Sequence, residues 1–161
     1  MFSVGILTIS DKGARGQRYD KSGQTIRDVF SDLGSETVHY EVVPDELDVI
    51  RRKLSEWADS GQTDVIITTG GTGLGERDVT PEATVAIVDR LVPGLVEAMR
   101  AKSLDKTPMA MLSRATAGVR GRSLIINLPG SPRAVRECLE VVLPAIPHAV
   151  DIIKGVVTEH S

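Results

Sequence analysis

Short apolar runs alternate with amphipathic segments along this chain, and no other feature constrains its fold as strongly. The runs at 4–9 (VGILTI), 64–69 (DVIITT) and 123–128 (SLIINL) are typical of strands buried on both faces of a sheet. A fourth strand is predicted at 37–43 (TVHYEVV), ended by Pro44. Because helical segments separate these strands, the sequence predicts βαβ units and a largely parallel sheet.

Amphipathic helices are predicted where apolar side chains recur at intervals of three and four residues. The apolar stripes of three such helices are Ile26, Val29, Phe30 and Leu33; Leu47, Ile50, Leu54, Trp57 and Ala58; and Val135, Cys138, Leu139 and Val142. Gly34 and Gly61 are predicted to end the first two helices, and Pro144 to end or kink the third. Two further helices are predicted to begin near Pro81 and Gly94.

The expected fold is therefore a three-layer α/β domain, in which helices cover both faces of a mostly parallel sheet. A chain of 161 residues is long enough to bury such a core without disulfides. We predict a single domain over residues 1–161, with a loose tail at about 155–161.

Charge and composition argue against several classes of protein. The net charge of −3 argues against a nucleic-acid-binding protein, since such proteins usually carry a basic surface. The single cysteine, Cys138, cannot form an internal disulfide. No apolar run approaches the roughly 20 residues that a membrane-spanning helix needs. We therefore expect a soluble cytoplasmic protein with no nucleic-acid or membrane partner.

Four polar or glycine-rich loops follow the predicted strands, at 10–23, 43–46, 69–81 and 128–132. In open α/β sheets, ligands bind outside the carboxyl ends of the strands. Because all four loops are expected at that edge, we predict that they converge on one ligand site.

The third of these loops contains four glycines within six positions, Gly70, Gly71, Gly73 and Gly75. Glycine lets successive backbone amides turn toward one anion. The Thr80-Pro81 pair that follows resembles a helix start, with Thr at the cap and Pro at the first helical position, where phosphate binds readily. Glu76 stands where a dinucleotide loop requires its third glycine, and no P-loop is present. A phosphate-binding loop is favoured over the alternative, a flexible strand-to-helix turn.

Two acidic residues, Asp45 and Asp78, are expected at the same sheet edge. Mg²⁺ commonly takes one or two carboxylates together with the phosphates of a substrate. Taken singly, each aspartate is better explained as a turn cap or as the partner of an arginine. Together with the glycine loop, the pair favours a metal and phosphate site.

Arg114, Arg120 and Arg122 form a basic stretch interrupted by glycine. Such a stretch can steer a polyanionic ligand toward a site. The simpler interpretation is a solvated loop, and the sequence favours it.

Three histidines, a tryptophan and a cysteine provide little further chemistry. His39, His148 and His160 lack the spacing of zinc ligands. Trp57 and Cys138 lie on apolar stripes, so both are predicted to pack in the core.

Seven motifs of this chain resemble, in order, those of the molybdopterin adenylyltransferase family, which comprises Mog and MoaB-like proteins and related domains such as that of gephyrin. The motifs are ILTISD, DKSG, VVPDE, TTGGTG, RDVTPEA, MLSRATAGVRG and LIINLPGSP. The resemblance extends from about residue 3 to about residue 153. It implies transfer of AMP from ATP, with Mg²⁺, onto the terminal phosphate of molybdopterin.

The resemblance also implies roles for individual residues. Asp45 and Asp78 match the two acids that the family needs for adenylyl transfer, and we predict that they bind Mg²⁺. The predicted ligand-contacting residues are Ser10, Asp11, Gly70, Gly71, Thr72, Gly73, Ser113, Asn127, Gly130 and Ser131. Residues 74–76 (LGE) depart from the pattern without changing the loop's length, so only local contacts are expected to differ.

The resemblance further implies a homotrimer and a downstream MoeA-like protein that inserts molybdenum. Exposed apolar residues at Leu91-Val92 and Leu95-Val96 are candidates for a subunit interface, with the core as the alternative.

Two other functions stay open. One is a MoaB-like protein that binds molybdopterin with little or no turnover. The other is a CinA-like hydrolase of nucleotides, which is disfavoured because such proteins continue into a further domain.

Overall fold

The computed structural model describes residues 1–156, and a single six-stranded sheet forms its centre. The strands are β1 (Ser3–Ile9), β2 (Glu36–Val43), β3 (Val65–Thr69), β4 (Arg90–Leu91), β5 (Ala117–Arg120) and β6 (Ser123–Leu128). Their order across the sheet is β2-β1-β3-β6-β5-β4. The four strands predicted from apolar runs, β1, β2, β3 and β6, are mutually parallel. The predicted, mostly parallel α/β sheet is therefore confirmed.

Strands β4 and β5 are antiparallel additions that the sequence analysis missed. The two residues of β4 are exposed, so they carry no buried apolar run. At Gly118 of β5, a Cβ would lie 2.7 Å from the carbonyl oxygen of Arg90. The absence of a side chain at Gly118 therefore allows β4 to approach β5 closely.

Within residues 1–156, seven α-helices surround the sheet. They are α1 (Asp11–Ala14), α2 (Lys21–Asp32), α3 (Leu47–Asp59), α4 (Thr80–Ile87), α5 (Pro93–Ser103), α6 (Pro132–Val142) and α7 (Ile146–Ile153). Short 3₁₀ helices at Pro108–Leu112 and Leu143–Ala145 complete the described elements. Pro144 lies in the second of these, directly after α6 ends, as predicted.

Two of the predicted helix ends are found close to the expected glycines, and one predicted cap is wrong. Gly34 and Gly61 follow α2 and α3 in left-handed conformations, with φ of +78° and +75°. Thr80 does not cap α4, because the helix begins one residue earlier than expected, with Val79 at the cap. The Thr80 hydroxyl instead donates to the carbonyl oxygen of Gly70 at 2.9 Å.

Two apolar clusters cover the two faces of the sheet, which confirms the three-layer arrangement. Helices α2, α5, α6 and α7 pack on one face, and α3 and α4 on the other. Trp57 and Cys138 are buried in these clusters, as predicted. Of the candidate interface residues, Val96 belongs to the core, whereas Leu91 is 54% exposed.

No helix within residues 1–156 is both long and apolar enough to cross a membrane. Of the predicted loose tail at about 155–161, residues 157–161 lie outside the described part of the chain.

Candidate active site

The carboxyl ends of the four parallel strands meet at one edge of the sheet. In the strand register, Ile9 of β1 pairs with Val43 of β2, and Thr69 of β3 pairs with Leu128 of β6. The loops that follow these strands therefore converge, and two clefts open among them.

The first cleft, named here the polar cleft, has a volume of about 610 Å³. Seven predicted site residues line it: Ser10, Asp45, Gly70, Gly71, Asp78, Gly130 and Ser131. Asp45 and Asp78, which are 33 positions apart in sequence, thus border the same space.

The second cleft, named here the apolar cleft, has a volume of about 560 Å³. Three predicted site residues, Thr72, Gly73 and Ser113, line it together with apolar side chains such as Met99 and Leu112. Residues 70–78, named here the glycine loop, contribute to both clefts. The glycine loop therefore lies between the two spaces.

Steric contacts require glycine at two positions of the glycine loop. Gly70 and Gly71 have φ values of +95° and +70°, which side-chain-bearing residues rarely adopt. A Cβ on Gly70 would overlap the carbonyl oxygen of Ile9, and one on Gly71 would overlap the Thr80 hydroxyl. The glycines therefore let the loop pack closely against β1 and α4.

Asp45 is joined to Asp11 and, through it, to the glycine loop. The Asp11 amide donates to Asp45 Oδ2 at 2.9 Å, and the Asp45 amide donates to Asp11 Oδ1 at 3.0 Å. Arg77 donates to both carboxylate oxygens of Asp11, at 2.7 and 2.9 Å. Asp11 itself lines neither cleft, so the structure places it behind Asp45.

Opposite effects act on the pKa values of these two acids. The Arg77 hydrogen bond, followed by that of the Asp45 amide, lowers the pKa of Asp11 to about 2. Burial raises the pKa of Asp45, and the negative charges of Asp11 and Asp78 raise it further. The Asp11 amide and the Arg77 charge therefore stabilise the Asp45 carboxylate only in part.

The carboxylates of the polar cleft suit a divalent cation that also has phosphate ligands. Asp78 accepts the Gly75 amide at 2.9 Å, which fixes one of its oxygens within the glycine loop. Within residues 1–156, no group of three or more His, Cys, Asp or Glu side chains could hold a metal ion. Mg²⁺ normally binds through one or two carboxylates plus substrate oxygens, so the pair Asp45 and Asp78 fits that ion.

Asp20 is a residue of the polar cleft that the sequence analysis missed. It caps α2 by accepting the Gly23 amide at 2.9 Å, and it also accepts the hydroxyls of Thr8 and Tyr40. Burial and the neighbouring Asp20 charge raise the pKa of Tyr40, so this phenol stays a donor. The DKSG motif, which begins at Asp20, was the available signal.

Cations also border the polar cleft. Arg18 and Lys21 line it, and neither forms an ion pair within the described chain. The Ser22 hydroxyl, one residue further on, donates to the Gly130 carbonyl at 2.5 Å and joins α2 to the loop after β6. The cleft thus combines three acids, Asp20, Asp45 and Asp78, with two available positive charges.

Comparison with known proteins agrees with this geometry. Residues 5–148 match the family described as "Probable molybdopterin binding domain". A molybdopterin adenylyltransferase of Helicobacter pylori (strain J99) is 49% identical over 154 residues, which cover 94% of this chain and 88% of that protein. The chain belongs to the molybdopterin adenylyltransferase family.

Two further relatives extend the match. A crystal structure described as the molybdopterin biosynthesis enzyme MoaB of Thermus thermophilus superposes with a TM-score of 0.90, at 57% identity, covering 96% of this chain and 98% of that one. Gephyrin of Dictyostelium discoideum is 45% identical over 162 residues, which cover 94% of this chain but 22% of that protein. The resemblance of the seven motifs to this family is thereby confirmed.

The structure of this molybdopterin adenylyltransferase family member differs from expectation at Asn127. Its side chain is fully buried and lines neither cleft. The amide nitrogen donates to the hydroxyls of Thr68 and Thr84, both at 3.0 Å, and the amide oxygen accepts the Thr116 backbone amide at 3.1 Å. Asn127 therefore joins β3, α4 and the segment before β5, and a ligand cannot reach it in this structure.

The interpretation of Arg114 as part of a solvated loop is wrong. Its guanidinium binds the Glu82 carboxylate and two carbonyl oxygens of the glycine loop. Arg120 and Arg122 are also bound, the first by Asp59 and the second by the carbonyl oxygen of Lys154. Arg114 and Arg120 are thus paired with carboxylates, whereas Arg122 binds only a carbonyl oxygen and lines neither cleft.

Proposed function

We propose that this chain is a molybdopterin adenylyltransferase, which transfers AMP from ATP to the terminal phosphate of molybdopterin and releases pyrophosphate. The observation that carries the proposal is the position of Asp45 and Asp78 on one cleft, beside a loop of glycine amides. The predicted activity is borne out by the name of the Helicobacter pylori relative at 49% identity.

The reaction needs positioning more than proton transfer. A molybdopterin phosphate oxygen attacks the α-phosphorus of ATP, and the bond from that phosphorus to the pyrophosphate oxygen breaks. The attacking oxygen is already ionised at neutral pH, so no strong general base is required. The obstacle is the repulsion between two polyanions, which positioning and electrostatic stabilisation reduce.

Residues of the polar cleft supply that stabilisation. Asp45 and Asp78 are proposed to hold Mg²⁺, which would neutralise charge on the phosphates. Arg18 and Lys21 border the same space and add positive charge there. Ser10, Gly70, Gly71, Gly130 and Ser131 are proposed to contact ligand from the cleft wall.

The apolar cleft is proposed to contribute ligand contacts from its own side of the glycine loop. Thr72, Gly73 and Ser113 face it, and these three are predicted ligand-contacting residues. Asp11 is proposed to act indirectly, by holding Asp45 through their two hydrogen bonds.

The remaining parts of the proposal concern assembly and context. We retain a homotrimer, a MoeA-like acceptor of the product, a cytoplasmic location and a single unit over residues 1–161. Leu91, which is exposed and belongs to the edge strand β4, supports an interface there.

A second candidate function is molybdopterin binding with little or no turnover. The observation behind it is the 57% identity to a MoaB structure, since a MoaB-like binding protein is the alternative predicted from the sequence.

The test is to mix the protein with molybdopterin, ATP and Mg²⁺ and to measure pyrophosphate. Release that requires all three components supports the adenylyltransferase. Molybdopterin binding without pyrophosphate release supports the second candidate, and nucleotide hydrolysis without molybdopterin supports a CinA-like hydrolase. A chain carrying Asp45→Asn and Asp78→Asn together serves as the matched inactive control.

A further inference from the structure

Arg114 joins the middle of the glycine loop to its last residue. Its Nε donates to the carbonyl oxygen of Gly73 at 2.8 Å, and its Nη2 donates to the carbonyl oxygen of Asp78 at 2.6 Å. Its own backbone amide donates to the carbonyl oxygen of Thr72 at 2.9 Å. One residue from a distant part of the chain therefore fixes three points of this loop.

Glu82 holds the guanidinium of Arg114 in place. The two carboxylate oxygens of Glu82 accept hydrogen bonds from Nη1 and Nη2, at 2.6 and 3.1 Å. This ion pair lowers the pKa of Glu82 and raises that of Arg114, so both groups stay charged. A planar guanidinium can satisfy two carboxylate oxygens and two carbonyls together, whereas a lysine ammonium has only three donors on one atom.

The loop that Arg114 fixes carries groups for both clefts. Asp78 borders the polar cleft, whereas Thr72 and Gly73 border the apolar cleft. A change in the position of the loop would therefore shift groups on both sides together.

We propose that Arg114 is a positioning residue, which holds the glycine loop so that the groups lining the two clefts keep their relative positions. The inference rests on the proposed adenylyl transfer, and it assigns Arg114 no contact with substrate. A misplacement of about 1 Å reduces a rate by roughly 10²-fold, which sets the size of the expected effect.

Arg120 provides a matched control elsewhere in the molecule. It binds both oxygens of Asp59, each at 3.0 Å, and the carbonyl oxygen of Ile87 at 2.7 Å. Its chemistry thus parallels that of Arg114, but it lines neither cleft. Comparing the two variants therefore separates the general effect of losing an arginine ion pair from the specific effect of losing Arg114.

The experiment compares Arg114→Met, Arg114→Lys and Arg120→Met in pyrophosphate release and thermal unfolding. We expect kcat to fall by about 10²-fold in Arg114→Met and by at least about tenfold in Arg114→Lys, with KM values changing about threefold or less. Arg120→Met should keep kcat within about threefold. It should lower the unfolding temperature by about as much as Arg114→Met does. Normal kcat in Arg114→Lys would show that charge alone suffices and would overturn the inference.

Hydrogen exchange of the loop amides gives a readout that does not need turnover. We expect residues 71–78 to exchange at least about tenfold faster in both Arg114 variants than in Arg120→Met, because the loop opens locally. Unchanged exchange would overturn the inference even where activity falls. If the unmodified protein releases no pyrophosphate, the proposed function fails, and the exchange measurement still decides whether Arg114 holds the loop.

Discussion

Asp11 and Asp45 hold each other through two reciprocal hydrogen bonds, in which the backbone amide of each residue donates to the carboxylate of the other, at 2.9 and 3.0 Å. This pair connects the loop after β1 with the loop after β2. It also leaves Asp45 Oδ1 beside Gly71, where a Cβ would be 3.3 Å from that oxygen. Asp45 therefore has one oxygen used for structure and one directed to the glycine loop.

Asp45→Asn should raise the Mg²⁺ concentration needed for half-maximal pyrophosphate release by at least about tenfold. The amide oxygen still accepts the Asp11 amide, so the loops stay joined while a negative charge is lost. A titration of activity with Mg²⁺ measures the shift. The control is Asp48→Asn, whose side chain is 91% exposed, and an equal shift in both variants would contradict the assignment.

Asp78→Asn should keep molybdopterin binding but lose most AMP transfer, by about 10²-fold in kcat. The asparagine oxygen still accepts the Gly75 amide, so the glycine loop keeps its shape. Binding and pyrophosphate release are measured on the same preparation. An unchanged turnover rate would remove Asp78 from the mechanism.

Gly71→Ala should destabilise the protein by at least about 1–3 kcal/mol. The substitution imposes a side chain at φ +70° and places its Cβ on the Thr80 hydroxyl. Chemical denaturation measures the free energy of unfolding. Gly94→Ala in α5 is the control, because no atom lies within 4 Å of the added Cβ, and it should be neutral or stabilising by about 0.5–1 kcal/mol.

Asn127→Ala should lower the free energy of unfolding by about 2–3 kcal/mol, since it leaves the Thr116 amide without its bond to the side chain and removes both hydroxyl contacts. Molybdopterin affinity measured well below the unfolding temperature should stay within about threefold, because the side chain reaches no cleft. Gln62→Ala, at an exposed amide, is the stability control. A large loss of affinity without loss of stability would restore the ligand-contacting role predicted from the sequence.

Cys138 should react slowly with iodoacetamide in the folded protein. Burial raises the pKa of its thiol, and the side chain is 5% exposed on the wall of the apolar cleft. Less thiolate is therefore present at a given pH than in the unfolded chain, and alkylation should begin at higher pH. We expect a rate at least about tenfold below that of the urea-unfolded protein. Equal rates in the two states would contradict the buried position.

The strands that were predicted correctly from the sequence are those whose own residues form a recognisable apolar pattern. A strand buried on both faces is largely apolar, so β1, β3 and β6 stand out in the sequence. The convergence of their loops then follows from parallel pairing alone. Strand β4 could not be predicted this way, because Arg90 and Leu91 are exposed and pair only with β5.

The side-chain positions that differ from expectation depend on information that the sequence pattern lacks. In β6 both faces are buried, so no alternation shows that Asn127 points into the core instead of toward a ligand. Arg114 binds carbonyls of residues 41 and 36 positions earlier in the chain, and backbone oxygens leave no signature in a sequence. Thr80 resembled a helix cap, but its hydroxyl donates to the carbonyl oxygen of Gly70 instead.

The strand order has a consequence for synthesis of the protein. Strand β6 lies between β3 and β5, although it is the last strand of the described chain to leave the ribosome. The bond from Ser22 to Gly130 likewise closes across 108 residues. A nascent chain that still lacks residues 123–132 has an open β3 edge and neither complete cleft. Substrates can therefore stabilise only the finished chain, and they offer no protection to its precursors on the ribosome.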